Sequence, residues 1–287
     1  MREHRTVALI TGANKGIGRA TAELLAAAGA TVLIGARDRR RGEEAAAAIR
    51  GDAHAVTLDV TDPTTAVAAA TWVEQRFGRL DVLVNNAGIT GSGRVAPLDA
   101  VDQVPSTAEV DMVRSVFETN VFGVITVTNA LLPLLRRSPA ARVVNVSSAA
   151  GSLSLNADPN GPLAALLPSA AYSPSKAALN ALTIQYANEL REDGILVNAA
   201  DPGYVDTDIN DHTGFLTPAQ GAAVVVRLAT LDADGPTGGF FNADGRCPGS
   251  RRVLGKRLLG VCGLVRSADP QRVGGAQWML DPALSSG

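Results

Sequence analysis

Short runs of apolar and β-branched residues alternate along the chain with longer stretches in which apolar positions recur every three or four residues. The short runs predict strands at 7–10, 31–34, 55–58, 82–84, 143–146, 196–199 and 239–241. Helical segments are predicted between them. In the first, Ile17, Ala20, Leu24, Leu25 and Ala28 share one face and Gly29 closes the helix. Others are expected at 64–77 with Pro63 at the entry, at 106–135 as one or two helices, at 174–191 and at 218–230. Strand, helix, strand repeated in this way predicts an α/β domain: a doubly wound, seven-stranded, mainly parallel sheet with helices on both faces.

Two segments break the rhythm. Residues 152–169 (SLSLNADPNGPLAALLPS) carry several prolines and turn signals and read as a loop insertion beyond the strand ends. From Arg246 the pattern dissolves, with seven basic residues against two acidic ones. The expected organisation is a domain over 1–245 followed by a basic, glycine-rich and poorly ordered tail over 246–287. Within that tail VLGKRLLGVCGLV is able to form a short basic amphipathic helix.

Composition narrows the class. Of 287 residues 46% are hydrophobic and 19% charged, and the formal net charge is -2. These values fit a globular protein with no general affinity for nucleic acid or acidic membranes. Two cysteines, Cys247 and Cys262, are too few for a disulfide framework or a zinc site, and His54 and His212 have no predicted cluster around them. The longest greasy run, 121–135, is short and interrupted by Thr126, Thr128, Asn129 and Pro133, so no membrane span is expected. The start has no secretory apolar region, which makes a reduced, cytoplasmic protein the expectation. Only three basic residues are lysine, namely Lys15, Lys176 and Lys256. Each therefore invites a question about its role.

The loop Thr11-Gly12-Ala13-Asn14-Lys15-Gly16-Ile17-Gly18 lies between the first strand and the first helix. Gly12 permits a tight turn, and Gly16 and Gly18 let the backbone approach a pyrophosphate at the positive helix end. The spacing is G-x-x-x-G-x-G rather than the common dinucleotide fingerprint G-x-G-x-x-G. A plain turn is the competing reading of that loop.

Taken with TGANKGIG, the motifs Asp59-Val60, Asn85-Asn86-Ala87-Gly88, Asn120 in ETNVFG, Ser148 in VNVSSAAG, Tyr172-Ser-Pro-Ser-Lys176 and Pro202-Gly203 follow in order. Over about residues 5–245 the chain thereby resembles the short-chain dehydrogenase/reductases, a Rossmann-type family. NKGIG, GARD and the insertion before the tyrosine resemble its carbonyl reductase branch most. The resemblance implies hydride transfer with Tyr172 as proton donor, Ser148 on the substrate carbonyl, Lys176 positioning ribose and tyrosine, and Asn120 anchoring a water relay. Of the serine pair, Ser148 rather than Ser147 is implied, since alternation sends the two side chains to opposite sides. Cofactor contacts are implied at Gly12, Asn14, Lys15, Gly16, Ile17, Gly18, Arg37, Asp59, Val60, Asn86, Ala87, Gly88, Tyr172, Lys176, Pro202, Gly203, Val205 and Thr207. No metal ligand is among them.

Residue chemistry adds two expectations. Tyr172 and Lys176, one helical turn apart, share a face, and a nearby ammonium would lower the phenol from about 10 by about 1 to 3 units. At the end of the second strand, where an NAD site carries a carboxylate, stands Arg37, a guanidinium suited to a 2′-phosphate. With Lys15 it favours NADP(H). Asp38 is expected to begin the next helix and Arg39-Arg40-Arg41 to be its solvated start. Asn198 is expected to be structural.

Thus the leading expectation is an NADPH-dependent reductase of a ketone or aldehyde. The alternatives are an NADP(H)-binding sensor without turnover and an enzyme working toward alcohol oxidation. Loops 90–105, 152–169 and 204–217 would line a pocket for a partly apolar carbonyl compound, through Ser92, Val95, Leu153, Leu155, Asn210, Asp211 and Phe215, with His212 nearby. The insertion favours a monomer over a homo-oligomer, because in the relatives such a segment covers the helical face used for dimerisation.

Overall fold

A computed structural model describes residues 5–91 and 101–247. Within it the apolar runs assemble into one sheet of order β3-β2-β1-β4-β5-β6-β7-β8. The strands are β1 Val7–Thr11, β2 Thr31–Ala36, β3 Asp52–Thr57, β4 Val82–Asn85, β5 Arg142–Val146, β6 Leu196–Ala200, β7 Phe240–Asn242 and β8 Gly245–Arg246. All neighbours pair in parallel except β7 with β8, an antiparallel hairpin at the edge. The expected doubly wound architecture is present, with the two-residue β8 added to the seven strands.

The strands read as continuous apolar runs because both faces are covered. On one side Leu9, Leu33, Leu83, Val143 and Val197 pack with Val73, Leu131, Leu135, Tyr186 and Leu190. On the other, Ile10, Ile34, Val84 and Val144 meet Leu25, Ala45, Val225 and Leu228. The helices are α1 Gly16–Ala27, α2 Arg39–Ala48, α3 Pro63–Phe77, α4 Val110–Phe117, α5 Gly123–Leu135, α6 Leu153–Asn156, α7 Tyr172–Glu189 and α8 Pro218–Ala229. All but α4 and α6 supply these side chains, Leu190 standing at the C-cap of α7.

Helix entries follow local chemistry. Asp38 caps α2 by accepting the Arg41 N–H, and Asp62 caps α3 with Pro63 in the first turn. Arg39 and Arg40 pair with Glu43 and Glu44 one turn on, as a solvated helix start should. The sequence expectation for α7 began at Pro174, whereas the helix begins at Tyr172. Proline is tolerated anywhere in a first turn whose N–H groups lack intrahelical partners, so it marks the entry but not its first residue.

The expected helix over 106–135 is interrupted. Between α4 and α5, Glu118–Phe122 forms a π-helical turn. By length and composition alone the stretch Val110–Leu135 is apolar enough to cross a membrane, but half of it is buried here, with Val116, Val124, Val127 and Leu131 in the core. The segment 152–169, expected as a loop, contains α6, which Ser152 caps by accepting the Leu155 N–H. Its far end is tied down where Ser169 Oγ donates to Gln103 Oε1 at 2.9 Å.

At the other boundary, Arg246 lies in β8, and the Cys247 N–H donates to the Phe240 carbonyl at 2.8 Å. The sheet therefore continues past the expected boundary of 245. The rest of the expected tail, including VLGKRLLGVCGLV with Lys256 and Cys262, lies outside the described residues. So do Ser92 and Val95 of the expected substrate loop.

Candidate active site

Parallel strands on either side of β1 lead their connections to opposite faces, which opens a crevice at the carboxyl ends of β1 and β4. The glycine loop stands on one side of it. Gly12 and Gly16 have φ of 63° and 56°, which favour glycine. A Cβ on Gly18 would stand 2.4 Å from Asn86 Nδ2. That amide is held in place, donating to the Thr11 carbonyl at 2.8 Å and to the Gly12 carbonyl at 3.3 Å. Thr11 Oγ1 in turn accepts the N–H groups of Asn86 and Ala87, both at 3.0 Å. The end of β4 thus fixes the shape of the loop after β1. Lys15, at the N-terminus of α1, gives no side-chain cap to the helix. Uncapped N–H groups, glycines without side chains and a positive helix end form a cradle that fits a dinucleotide pyrophosphate.

The adenosine side of this cradle is built from the ends of β2 and β3. Arg37 is exposed one residue beyond β2, and no carboxylate stands on that strand end. Beyond β3, Asp59 Oδ1 accepts the Thr61 N–H at 3.0 Å and the Thr61 hydroxyl at 2.7 Å, which fixes the Asp59-Val60 turn. Val60 packs so closely on α5 that a Cβ on Gly123 would lie 2.9 Å from its methyl carbon. Ile17 and Asn14 are half-buried in the glycine loop.

Facing the cradle, β5 and α7 bring Ser148, Tyr172 and Lys176 together. Ser148 Oγ accepts the Ala150 N–H at 3.2 Å, and the same hydroxyl faces the Tyr172 phenol as its hydrogen-bonding neighbour. Ser147 points elsewhere, and its buried hydroxyl finds no partner among the described residues. Lys176 is 4% exposed, and its Nζ donates to the Val146 carbonyl at 2.8 Å. That nitrogen stands 5.7 Å from the centre of the Tyr172 ring.

The charges differ from the sequence expectation. Burial pushes the Tyr172 phenol up to about 12; the Ser148 hydrogen bond opposes this and the Asp201 charge adds to it. The same cause, burial, brings the Lys176 ammonium down to about 8. The expected lowering of the phenol by the lysine is therefore corrected. Sharing a helix face set the two side chains close, but removal from water outweighs their attraction, and the ammonium turns to a carbonyl.

Asn120 is fully buried. Its Oδ1 accepts the Ile89 N–H at 2.9 Å, while Nδ2 donates to the Ile89 carbonyl at 2.9 Å and to Ser175 Oγ at 3.0 Å. Ser175 Oγ donates to the Tyr172 carbonyl at 2.7 Å. The π-helical turn thus aims Asn120 at the first turn of α7, so that its side chain joins the chain after β4 to the helix carrying tyrosine and lysine. Gly88 makes room: a Cβ there would lie 3.3 Å from Asn120 Oδ1 and 3.4 Å from Lys176 Nζ.

After β6, Gly203 has φ of 78° and its N–H donates to Asp201 Oδ1 at 3.1 Å, which turns the chain at Pro202-Gly203. Val205 and Thr207 are buried beyond it, and a Cβ on Gly16 would sit 3.4 Å from the Thr207 methyl carbon. Asn198 is structural, its amide donating to the Pro236 carbonyl at 2.7 Å and its oxygen accepting the Gly239 N–H at 3.0 Å.

Sequence reasoning missed a group of charges here. His212, expected to stand apart, has Nδ1 at 2.7 Å from Asp206 Oδ1 and Nε2 at 2.9 Å from Asp208 Oδ1. Lys15 pairs with the other oxygen of Asp208 at 2.5 Å. The pattern D-x-D-x-x-x-H at 206–212 carries part of this signal, and only the fold supplies the lysine.

Comparison with known proteins agrees with this geometry. The family model described as short chain dehydrogenase matches residues 6–214. The chain is 36% identical to short-chain dehydrogenase anuI of Penicillium roqueforti (strain FM164), over 79% of this chain and 89% of that protein. It is 33% identical to (-)-isopiperitenone reductase of Mentha piperita, over 85% of this chain and 98% of the relative. The solved structure of salutaridine reductase from Papaver somniferum superposes with a TM-score of 0.70 at 30% identity, covering 83% of this chain and all of that one. A doubly wound sheet, a glycine cradle and a serine, tyrosine and lysine gathered at its rim, together with these matches, establish that the chain belongs to the short-chain dehydrogenase family of nicotinamide-dependent oxidoreductases.

Proposed function

We propose that the chain reduces a ketone or aldehyde to an alcohol with NADPH, Tyr172 giving the proton. The observation that carries this reading is the meeting of Ser148, Tyr172 and Lys176 beside the glycine cradle, with Asn120 anchoring the helix beneath them. NADPH, when bound, supplies the hydride that becomes the new C–H bond. Everything else is done by this chain. A phenol held near 12 is protonated at neutral pH, the form that a donor needs. Ser148 is positioned to hold the substrate oxygen beside that phenol. As the oxygen takes the proton, the Ser148 hydroxyl and the Lys176 ammonium stabilise the phenolate left behind, and water restores its proton. With its ammonium near 8, Lys176 is still largely cationic at neutral pH and able to hold the nicotinamide ribose hydroxyls as well. Asn120 acts through its hydrogen bonds, keeping the first turn of α7 in register with Ile89.

The choice of NADPH rests on charge. Arg37 would hold the 2′-phosphate in a fork; Lys15, expected to help, pairs with Asp208 instead, and the Asp38 carboxylate beside Arg37 is turned to the Arg41 N–H that it caps. Replacing Arg37 by alanine is expected to raise the KM for NADPH about tenfold or more, with the KM for NADH little changed. Steady-state rates with both cofactors check this.

Leu153, Leu166 and Phe215 are exposed on the insertion and on the loop after β6, with the Phe215 ring 5.9 Å from that of Tyr204. These side chains support a medium-sized, partly apolar carbonyl substrate. The deciding experiment is NADPH consumption with a panel of ketones, aldehydes and quinones. Consumption with at least one class is the expected result. Tight NADP(H) binding without consumption of any, and without oxidation of the corresponding alcohols, would favour the sensor alternative.

A further inference from the structure

The charges around His212 do not enter the reaction described above, yet they bridge the two walls of the cofactor crevice. Lys15 belongs to the glycine loop, and Asp206, Asp208 and His212 belong to the segment after β6, 193 residues on in the case of Asp208. Beneath this bridge a Cβ on Gly16 would lie 3.4 Å from the Thr207 methyl carbon. We propose that Lys15, Asp208, His212 and Asp206 form a proton-dependent clasp that closes the segment after β6 over the glycine loop and sets the rate of dinucleotide release. The inference rests on the dinucleotide reading of that loop.

Geometry alone assigns the proton. Both ring nitrogens of His212 lie within hydrogen-bond distance of carboxylate oxygens, at 2.7 and 2.9 Å. An ionised carboxylate only accepts, and a neutral imidazole has a single N–H to give, so both bonds together require the imidazolium. The backbone is bent to achieve this: Asp211 and His212 take left-handed φ of 53° and 60°. Thr207 and Asn210 cap each other reciprocally within the same turn, which keeps Asp206 and Asp208 on either side of the ring.

Among the described residues two cations, Lys15 and His212, alternate with two carboxylates, Asp206 and Asp208. Other charged groups across the cleft are already engaged on their own helices: Arg19 with Glu23, Arg41 toward Asp38, and Glu44 with Arg40. Asp211 is the remaining acid beside the ring in sequence. Loss of the His212 proton leaves Asp206 and Asp208 facing each other through a neutral ring, with one bond fewer, and the clasp loosens.

The sign follows from the bonding. Hydrogen bonds from Asp206 and then Asp208 hold the His212 imidazolium above its ordinary range. The clasp is therefore fully formed below about pH 6.5 and opens as the pH rises through the raised value. All four side chains reach solvent, so added salt works in the same direction as added base.

The test is release of NADPH from the full chain, followed by its fluorescence after mixing with excess NADP⁺ at several pH values. In the wild type, release is expected to quicken by about threefold or more between about pH 6 and pH 8.5. Asp208→Asn and His212→Gln are expected to release quickly at the lower pH already. His212→Arg, which keeps the cation at every pH, is expected to stay slow throughout, a rescue that mere loss of folding in His212→Gln would not give. Equal release rates and equal pH dependence in the wild type and all three variants would overturn the clasp while leaving cofactor binding intact. Absence of any NADPH binding to the wild type would instead overturn the reading of the loop, and the clasp with it.

Discussion

Turnover of the Tyr172→Phe variant is expected to fall by about 10²- to 10⁴-fold, the range a positioned general acid contributes, while NADPH affinity changes little. The substitution removes one oxygen and keeps the ring. The cation over that ring, 5.7 Å from its centre, keeps its partner, and the hydrogen bond from Lys176 to the Val146 carbonyl does not involve the phenol. Only the contact with Ser148 and the transferable proton are lost. Steady-state turnover with the best substrate of the panel, set beside NADPH titration by fluorescence, separates the two quantities. A variant that turns over at the wild-type rate would remove Tyr172 from the role assigned to it. Because burial rather than ionisation governs this phenol, the wild-type rate is also expected to show no loss from phenolate formation anywhere near neutral pH.

The second large effect is expected at Gly18→Ala. The added methyl would fall 2.4 Å from Asn86 Nδ2 and 3.0 Å from the Ala13 Cα. Neither neighbour yields easily, since Asn86 is bound to two carbonyls of the loop and Ala13 donates its N–H to the Gly35 carbonyl at 3.0 Å. Overpacking of this kind costs about 1 to 3 kcal/mol. Part of that cost is expected as a lower melting temperature. The rest is expected as a weaker grip on NADPH, because the loop shifts to relieve the contact and its N–H groups turn from their common target. Calorimetric melting with and without NADPH reads both: the variant should melt lower and gain less from the ligand than the wild type does. An unchanged melting temperature and an unchanged ligand-induced gain would show that the loop has slack the packing does not reveal.

Much of this was legible in the chain itself. Continuous apolar strands at β1, β2, β4 and β5 announced a sheet covered on both faces, and Asp38 and Pro63 announced helix entries through chemistry confined to four or five residues. The glycine loop and the tyrosine-lysine pair were legible because their spacing is local. What was hidden depends on distance in sequence or on water. The state of Tyr172 could not be read from Lys176 alone, since burial is decided by the whole fold. The Asn120 bonds to Ile89 and Ser175 join residues 31 and 55 positions away. Lys15 looked like a phosphate ligand and nothing more until the chain after β6 set Asp208 beside it. Segment 152–169 read as irregular because its prolines and turn residues outnumber the four positions of α6.

The wide turn at Glu118–Phe122 has an evolutionary and engineering meaning. Each residue of a regular helix advances the direction of its side chain by about 100°, so this bulge holds one residue more than an α-helical path between the same ends would need. Deleting a single position there would let α4 and α5 fuse into one unbroken rod with its buried stripe rephased. The amide now aimed at Ser175 would be carried off its bearing by more than a quarter of a revolution. A shorter chain at this point would gain a more regular helix at the expense of the very contact that registers α7, which gives selection a reason to keep the irregularity.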